Sequence, residues 1–190
     1  MDRSLRGIPA SPGIAVGNVH LLIWEVPEFE HRSIADEDVP AELARLDDAL
    51  ERAKERLRHV TERVEATAGK DEAAIFEAQR MLLEDPALLS SVRQYIKQNF
   101  AADAAFDLEM REWRQRFARH SSALLRERAN DVIDVHIRVL AILMDLPDHD
   151  PVDLPKGAKA VLVTHDLTPA LTVQLDRDAI VGIATDAGTR

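Results

Sequence analysis

The apolar residues near the start of the chain change from a turn-and-strand pattern to a helical one. Residues 7–24 are mostly β-branched and apolar, and they are interrupted by two prolines and three glycines. This pattern predicts turns followed by a strand. From about Pro40 to Ala68, apolar residues recur in steps of three and four, which predicts a long helix that packs along other helices. This stripe consists of Leu43, Leu46, Leu50, Ala53, Leu57, Val60 and Val64.

Short local signals divide the next hundred residues into four more helices. Gly69 is a common helix end, and Asp71 is a candidate cap for the second helix, which runs to about Glu84. Asp85 followed by Pro86 is the pattern of a cap and a first-turn proline, so a third helix begins there. The last two predicted helices cover residues 102–119 and 122–144, and the fifth carries an apolar stripe of Leu125, Ala129, Val132, Val135 and Val139.

The last forty residues return to an α/β pattern. A linker rich in proline and aspartate leads to a predicted strand at 158–164, a helix at 168–175 and a strand at 180–184. Strand, helix and strand in this order indicate a right-handed α/β unit. We expect the N-terminal strand to join the same sheet, so that the helices form an insertion.

The predicted fold class is therefore mixed: an all-α bundle inserted into an α/β part. A compact domain rarely ends directly after a buried strand, so we expect this α/β part to be incomplete. The predicted organisation is an N-terminal strand region, a helical subdomain and the rest of the α/β subdomain. Their boundaries are 1–32, 33–147 and 148–190.

Composition narrows the classes of partner. The 24 lysines and arginines against 34 aspartates and glutamates give a net charge of −10, which disfavours nucleic acid and anionic membranes and favours a partner with a basic face. The absence of cysteine excludes disulfides, thiolate metal sites and cysteine nucleophiles, and it fits a cytoplasmic protein. No apolar run approaches the roughly 20 residues of a membrane span, so we expect no membrane insertion.

Single residues taken alone do not identify a catalytic or binding site in this sequence. No histidine pair has the spacing of a zinc site, so we expect no metal in this chain. His165 follows a predicted strand, where α/β sites gather, but an ordinary loop histidine is the favoured interpretation. Glu77 and Glu84 give an acidic helix face, which is either a solvated surface or a docking surface for a basic partner.

Several segments, in this order and spacing, carry a resemblance to one family. The chain is similar to the N-terminal half of Enzyme I of the bacterial phosphoenolpyruvate:sugar phosphotransferase system, from about Gly7 to Arg190. The segments are GIPASPGIA at 7–15, AIFEAQRMLLED at 74–85, ERANDV at 127–132, DLTP at 166–169 and TDAGTR at 185–190.

The resemblance implies a cytoplasmic enzyme of sugar uptake. Enzyme I takes a phosphoryl group from phosphoenolpyruvate onto a histidine and passes it to a histidine of the small phosphocarrier HPr. It also implies that the helical block docks HPr and that the α/β part is a swivelling phosphohistidine domain. A C-terminal (β/α)8 barrel, absent from this chain, binds phosphoenolpyruvate and Mg²⁺ and forms the homodimer in that family.

The resemblance also implies where the phosphohistidine belongs. The family motif is Gly-Gly-Arg-Thr-Ser-His, and residues 188–190 match its first three positions, with Thr189 in place of the second glycine. The accepting histidine would follow three residues after Arg190, so this chain alone is expected to be inactive. Thr172 matches the family threonine that orients the histidine ring, and Arg190 is placed to meet phosphate oxygens.

The family's carrier-contact positions map onto two predicted helices. Gln79 stands where some members carry histidine, and Pro86 stands where some carry an acidic residue, so individual contacts differ from theirs. A packing role is expected for Leu82 or Leu83. The matching positions are Glu77, Gln79, Leu82, Leu83, Glu84, Arg128 and Asp131.

Three other interpretations remain open from the sequence. One is a non-catalytic helical adaptor whose α/β part is a relic. Another is the nitrogen-regulatory branch of Enzyme I, whose members carry a GAF domain ahead of this region. The swivelling domain of a pyruvate phosphate dikinase or phosphoenolpyruvate synthase is the least favoured, because those lack a helical insertion at this place.

The missing acceptor gives a direct prediction. When the 190-residue chain is incubated with phosphoenolpyruvate and Mg²⁺, we expect no phosphorylated chain, because the phosphoryl group has no histidine at the motif position. Intact-mass spectrometry under conditions that preserve phosphohistidine measures this. A gain of one phosphoryl group would contradict the assignment of the acceptor to a position beyond Arg190.

Overall fold

The computed structural model describes residues 4–146, 154 and 157–187. The long helices follow one another with short joints, and the strands lie at both ends of the described chain. The helices are α1 Val39–Thr67, α2 Lys70–Leu83, α3 Pro86–Lys97, α4 Ala102–Ala118, α5 Ala123–Leu143 and α6 Pro169–Thr172. The strands are β1 Asn18–Leu22, β2 Ala160–Thr164 and β3 Ile180–Thr185, and a single 3₁₀ turn, Asp36–Asp38, precedes α1.

The predicted stripe of α1 is the centre of the bundle. Five of its seven members are buried, while Leu43 and Val60 pack at the edge of the same core. The helix contacts each of α2, α3, α4 and α5 along its length. The core around it includes Leu46, Leu57, Phe76, Phe106 and Leu140, all fully buried.

The predicted helix ends are confirmed with one correction. Gly69 has a φ of +112°, and its N–H donates to the Val64 carbonyl at 3.2 Å, so it ends α1 and also begins α2. Asp71 was predicted to cap α2 but lies inside its first turn, where a carboxylate favours the positive helix end. The Asp85 side chain does cap α3, accepting from the N–H groups of Ala87 at 2.8 Å and Leu88 at 3.2 Å.

The three strands form one parallel sheet in the order β1-β2-β3. The expected pairing of the N-terminal strand with the C-terminal strands is therefore confirmed, and α1 to α5 lie between β1 and β2 in sequence. Helix α6 has four residues, shorter than predicted. It places Leu171 on Leu22 and Leu162, which form a small core separate from that of the bundle.

The two faces of the sheet differ in burial. Because side chains alternate along a strand, Leu22 of β1 points to the covered face, whereas Val19 and Leu21 point to the other face and are 73% and 62% exposed. A Cβ at Gly17, just before β1, would lie 2.6 Å from the Lys159 carbonyl oxygen, so this close approach requires glycine. Within the described ranges, no helix has the length and apolar character needed to span a membrane.

Adjacent leucines of β1 give a matched stability test. We expect Leu22→Ala to lower the free energy of unfolding of the sheet region by about 2–4 kcal/mol, because it removes buried methyl groups and leaves a cavity. Leu21→Ala, one residue away on the open face, should cost less than about 0.5 kcal/mol. Hydrogen exchange of the strand amides measures both, and equal losses would contradict the assignment of the two faces.

Candidate functional site

The outer face of α2 carries a charged triad. Arg80 lies between Glu77 and Glu84, with its Nε donating to Glu77 Oε2 at 3.1 Å and its Nη1 donating to Glu84 Oε1 at 2.9 Å. Both carboxylates are exposed and lie one helical turn from the arginine, on opposite sides of it. The triad therefore has a net charge of −1, with both acidic groups hydrogen-bonded to the same guanidinium.

Met81 is the large apolar side chain on this same helix that sequence reasoning missed. It is 67% exposed and lies between the two glutamates in sequence, while Leu82 beside it is half-buried against the bundle core. An exposed methionine within an otherwise charged surface can adapt its shape to a partner. The signal that could have revealed it is its helical spacing, since Met81 is four residues after Glu77 and three before Glu84.

Two predicted contact residues lie inside the molecule. Gln79 and Leu83 are 0% and 1% exposed, on the side of α2 that faces the bundle. A docked protein could touch them only after α2 had moved, because the helix itself covers both side chains. Leu83 thus has the packing role expected for one of the two leucines, and Gln79 bonds to another helix.

The remaining predicted contacts, Arg128 and Asp131, form a pair near the start of α5. Arg128 Nη1 donates to Asp131 Oδ2 at 2.9 Å. Burial raises the pKa of Asp131, and the neighbouring guanidinium of Arg128 opposes that shift. The arginine is exposed and the aspartate half-buried, so the pair lies at the edge of the bundle surface.

Asp134, one turn further along α5, joins three parts of the chain. Its Oδ1 accepts from the indole Nε1 of Trp24 at 2.7 Å, and its Oδ2 accepts from Gln79 Nε2 at 3.2 Å and from the Thr168 hydroxyl at 3.2 Å. Trp24 follows β1, Gln79 belongs to α2, and Thr168 caps α6. Arg138, on the same helix, stacks over the Trp24 ring with 5.2 Å between its Cζ and the ring centroid.

The Asp134 carboxyl group loses its proton at a higher pH than an ordinary aspartate. The residue is 1% exposed, and this burial raises its pKa to about 6. The hydrogen bond from Trp24, the charge of Arg138 and the hydrogen bond from Thr168 oppose the shift without cancelling it. Sequence reasoning did not find this residue, because it lies on the side of α5 opposite the predicted apolar stripe and is buried only where other elements cover that side.

A second buried carboxylate, Asp107 of α4, lies between two histidines. His31 Nε2 is 2.7 Å from its Oδ2 and His136 Nε2 is 2.9 Å from its Oδ1, while Arg111 Nε donates to Oδ2 at 2.8 Å. Burial alone would raise the pKa of Asp107, but these three neighbours outweigh it and hold the pKa below the usual range. The cluster ties the segment after β1 to α4 and α5.

Of the two predicted phosphoryl-site residues, only Thr172 lies within the described part of the chain. Thr172 is the last residue of α6, exposed, and its hydroxyl donates to the Thr168 carbonyl at 2.9 Å. It lines a cleft of about 800 Å³ between the end of α1 and residues 172–178, where Arg63 and Arg177 also lie. Arg190 lies outside the described residues.

His165 and Asp186 meet at the carboxyl ends of neighbouring strands. His165 Nδ1 is 2.7 Å from Asp186 Oδ1, and the Ala187 N–H donates to the His165 carbonyl at 2.8 Å. His165 thus binds the loop that leads from β3 toward Arg190, a pairing that the sequence did not predict. Among the described residues, no group of three histidine, aspartate or glutamate side chains could hold a metal ion.

Comparison with known proteins decides the family. The model of the N-terminal domain of PEP-utilising enzymes matches residues 6–128, more than half of the chain. The chain belongs to the family of PEP-utilising enzyme N-terminal domains.

Relatives in this family share the whole length of the chain. It is 35% identical to a phosphoenolpyruvate-protein phosphotransferase of Enterococcus faecalis and 36% identical to one of Geobacillus stearothermophilus, with all of the chain aligned in both cases. It spans about a third of each relative, 33% and 32% respectively. The resemblance to Enzyme I found in the sequence is thereby confirmed, and the chain corresponds to the N-terminal part of such phosphotransferases.

Solved structures of PEP-utilising enzyme N-terminal domains support the same conclusion. A solution structure of Enzyme I is 32% identical, with a TM-score of 0.83 over 98% of this chain and 75% of that one. The N-terminal domain of a nitrogen Enzyme I is 27% identical, with a TM-score of 0.64 over 97% of this chain and 74% of that one. The helix-rich fold with a small parallel sheet is therefore that of the family.

The raised pKa of Asp134 predicts a pH dependence. Because the folded state binds this proton more tightly than the unfolded chain, the favourable contribution is complete below about pH 4 and is lost as the pH rises through about 6. A rise in pKa from 3.8 to about 6 limits the loss to about 3 kcal/mol. We expect Asp134→Asn, which cannot ionise, to gain stability relative to the wild type between pH 4 and pH 7.

Urea unfolding at several pH values measures that difference. Asp48→Asn, an exposed carboxylate on α1, is the control and should change the free energy of unfolding by less than about 0.5 kcal/mol at every pH. A constant difference between wild type and Asp134→Asn across this range would contradict the assigned proton.

Proposed function

We propose that this chain is the carrier-docking part of a phosphoenolpyruvate–protein phosphotransferase, Enzyme I, and that it binds the histidine phosphocarrier HPr. In this proposal the carrier contacts the outer face of α2, made of Glu77, Met81, Leu82 and Glu84, together with Arg128 and Asp131 of α5. We call these six residues the docking face. Gln79 and Leu83 are left out of it because α2 covers them.

The observation that carries the proposal is the exposure of Met81 between two carboxylates. An apolar anchor flanked by charged groups is the usual composition of a transient protein interface, with the apolar contact supplying affinity and the charges surrounding it. The half-buried Leu82 widens the apolar contact next to the methionine.

The charge arrangement supports a basic partner. Arg80 orients Glu77 and Glu84 and leaves a net negative charge on α2, in a chain whose net charge is −10. Attraction of this kind speeds the encounter with a basic carrier more than it tightens the complex. Because exposed charges are screened by salt, the association rate is the quantity that salt should change most.

The phosphoryl site, in this proposal, lies at the carboxyl edge of the sheet. The accepting histidine follows Arg190 in the parent protein, and Thr172 orients its ring. The Thr172 hydroxyl already donates its proton to the Thr168 carbonyl, so its oxygen is left to accept a hydrogen bond from a ring N–H. That contact would hold the tautomer whose other nitrogen carries the free lone pair that attacks phosphorus.

The transfer itself exchanges one nitrogen–phosphorus bond for another. In the forward step, the ring nitrogen of the carrier's histidine attacks the phosphorus on the parent's phosphohistidine, and the parent's imidazole leaves with the electron pair of the broken nitrogen–phosphorus bond. Arg190, with its fork of N–H donors, is suited to neutralise the phosphoryl oxygens during this step.

Phosphoenolpyruvate and Mg²⁺ binding, and the homodimer, are assigned to the C-terminal barrel of the parent protein. The chain spans about a third of its relatives, which leaves them ample length for such a barrel. We place the parent in the cytoplasm, where sugar uptake through this system takes its phosphoryl groups.

The sugar-uptake Enzyme I is favoured over its nitrogen-regulatory paralogue by the higher likeness to the Enzyme I structure, with TM-scores of 0.83 against 0.64. The non-catalytic adaptor remains the second candidate. It shares the docking face but would have no histidine after Arg190 in its gene, so the parent reading frame separates the two.

Carrier binding tests the docking face. We expect Met81→Ala to weaken HPr binding about tenfold or more, because it removes the apolar anchor while alanine keeps the helix. The control Gln98→Ala, on an exposed surface at the end of α3, should bind as the wild type does. Isothermal titration calorimetry with purified HPr measures both, and unchanged binding by Met81→Ala would remove α2 from the interface.

A further inference from the structure

We propose that Asp134 is a positioning residue that holds α6, and with it the phosphoryl site, in a fixed relation to the docking helix α2. The proposal rests on the proposed function, since it concerns how the two parts of the transfer site are held together. It assigns no contact with substrate to Asp134. Its effect passes through the side chains that the carboxylate binds.

The geometry gives Asp134 bonds to both parts. One oxygen accepts from Gln79 on the inner face of α2, and the same oxygen accepts from Thr168 at the start of α6. Trp24, which binds the other oxygen, packs against the small core under the sheet. A single buried carboxylate thus connects the helix proposed to receive the carrier with the α/β part proposed to carry the phosphoryl group.

The connection continues from Thr168 to Thr172. Thr168 caps α6 by accepting from the Leu171 N–H at 3.3 Å, and its carbonyl accepts the Thr172 hydroxyl proton at 2.9 Å. A shift of the Thr168 side chain therefore moves the whole of this one-turn helix. Ala170 packs in the bundle core, with Val173 against it, and Arg63 donates to Gln174 at 3.2 Å, so the Asp134 bonds complete a small interface.

Protonation can change how firmly this interface is held. The charged groups that act on Asp134 are Arg138 and Asp131, both on α5 itself, while Gln79, Trp24 and Thr168 from the other elements are neutral. Burial favours the neutral acid, and Gln79 Oε1 is a buried acceptor with no hydrogen-bond partner among the described residues. A neutral carboxyl could donate its proton to that oxygen once the amide turned over, whereas an ionised carboxylate keeps its charge buried.

The closed arrangement should then loosen as the pH rises. Separation of α6 from the bundle would return the carboxylate to water and to its ordinary pKa near 3.8, so ionisation favours separation. With a pKa of about 6 in the closed form, the ratio of open to closed molecules should rise about tenfold between pH 5 and pH 7.5. A residue that only contributed to folding would give no such pH-dependent change in position.

The absence of cysteine allows this to be measured directly. Spin labels attached to Ala74→Cys on α2 and Arg177→Cys just after α6 report the distance between the two parts by double electron–electron resonance. Both positions are exposed and lie outside the docking face. We expect one narrow distance distribution at pH 5 and a second, longer component that grows toward pH 7.5.

Four variants in the labelled chain separate the outcomes. Asp134→Asn should keep the narrow distribution at both pH values, because it is always neutral, and Asp134→Ala should show the longer component at both, because three donors lose their acceptor. Thr168→Val should broaden the distribution, while Thr168→Ser should restore it. The threonine pair keeps the test valid if Asp134→Ala fails to fold.

Two results would overturn the proposal. One is a wild-type distribution that Thr168→Val and Asp134→Ala leave unchanged, and the other is a pH response that persists in Asp134→Asn. HPr binding is measured on the same samples, and Thr168→Val should leave it within about twofold of wild type because the docking face is intact. If the wild-type chain shows the expected distances but does not bind HPr, the proposed function is wrong while the role of Asp134 stands.

Discussion

The burial of one apolar stripe along α1 is the constraint on which the rest of the molecule depends. This 29-residue helix contacts the four other long helices, and its leucines lie at the centre of the bundle core. Once that stripe is buried, the outward faces of the surrounding helices are set as well, because the side chains of a helix have fixed angular positions. The exposed face of α2 is thus a consequence of what α1 covers.

The two sides of helix α2 differ in character, although their residues lie only a few positions apart. Its inner side gives Phe76 and Leu83 to the core and Gln79 to the Asp134 carboxylate. Its outer side presents Met81 between Glu77 and Glu84. A helix held this firmly on one side can present a rigid surface on the other, which lowers the entropy cost of binding a partner.

The elements were predictable where a local signal determines them. The apolar periodicity predicted α1. Gly69 and Asp85 predicted two helix boundaries, and the proline- and glycine-rich start predicted β1. Asp71 was misplaced as a cap because Gly69 supplies the non-helical backbone two residues earlier. Helix α6 is shorter than predicted because the residues after Thr172 form a tighter turn, with the Gln174 N–H donating to the Leu171 carbonyl at 3.0 Å. A propensity pattern does not reveal this turn.

The site was less predictable for a physical reason. Asp134 acquires its role from Trp24, 110 residues earlier, and from Thr168, 34 residues later, and no local pattern reports such distant partners. The same holds for Asp107 with His31 and His136. The family resemblance, in contrast, singled out Glu77 and Thr172 as candidate site residues through short matching segments.

The parallel pairing of β1 with β2 has a consequence for synthesis. Leu22 pairs with Thr164, which is synthesised about 140 residues later, so β1 leaves the ribosome before its partner strand exists. At 5–20 residues per second this delay is roughly 7–30 s on the ribosome, long enough for the locally connected helices to form first. During that interval β1 has no strand to pair with, so water must satisfy its backbone N–H and C=O groups until β2 is made.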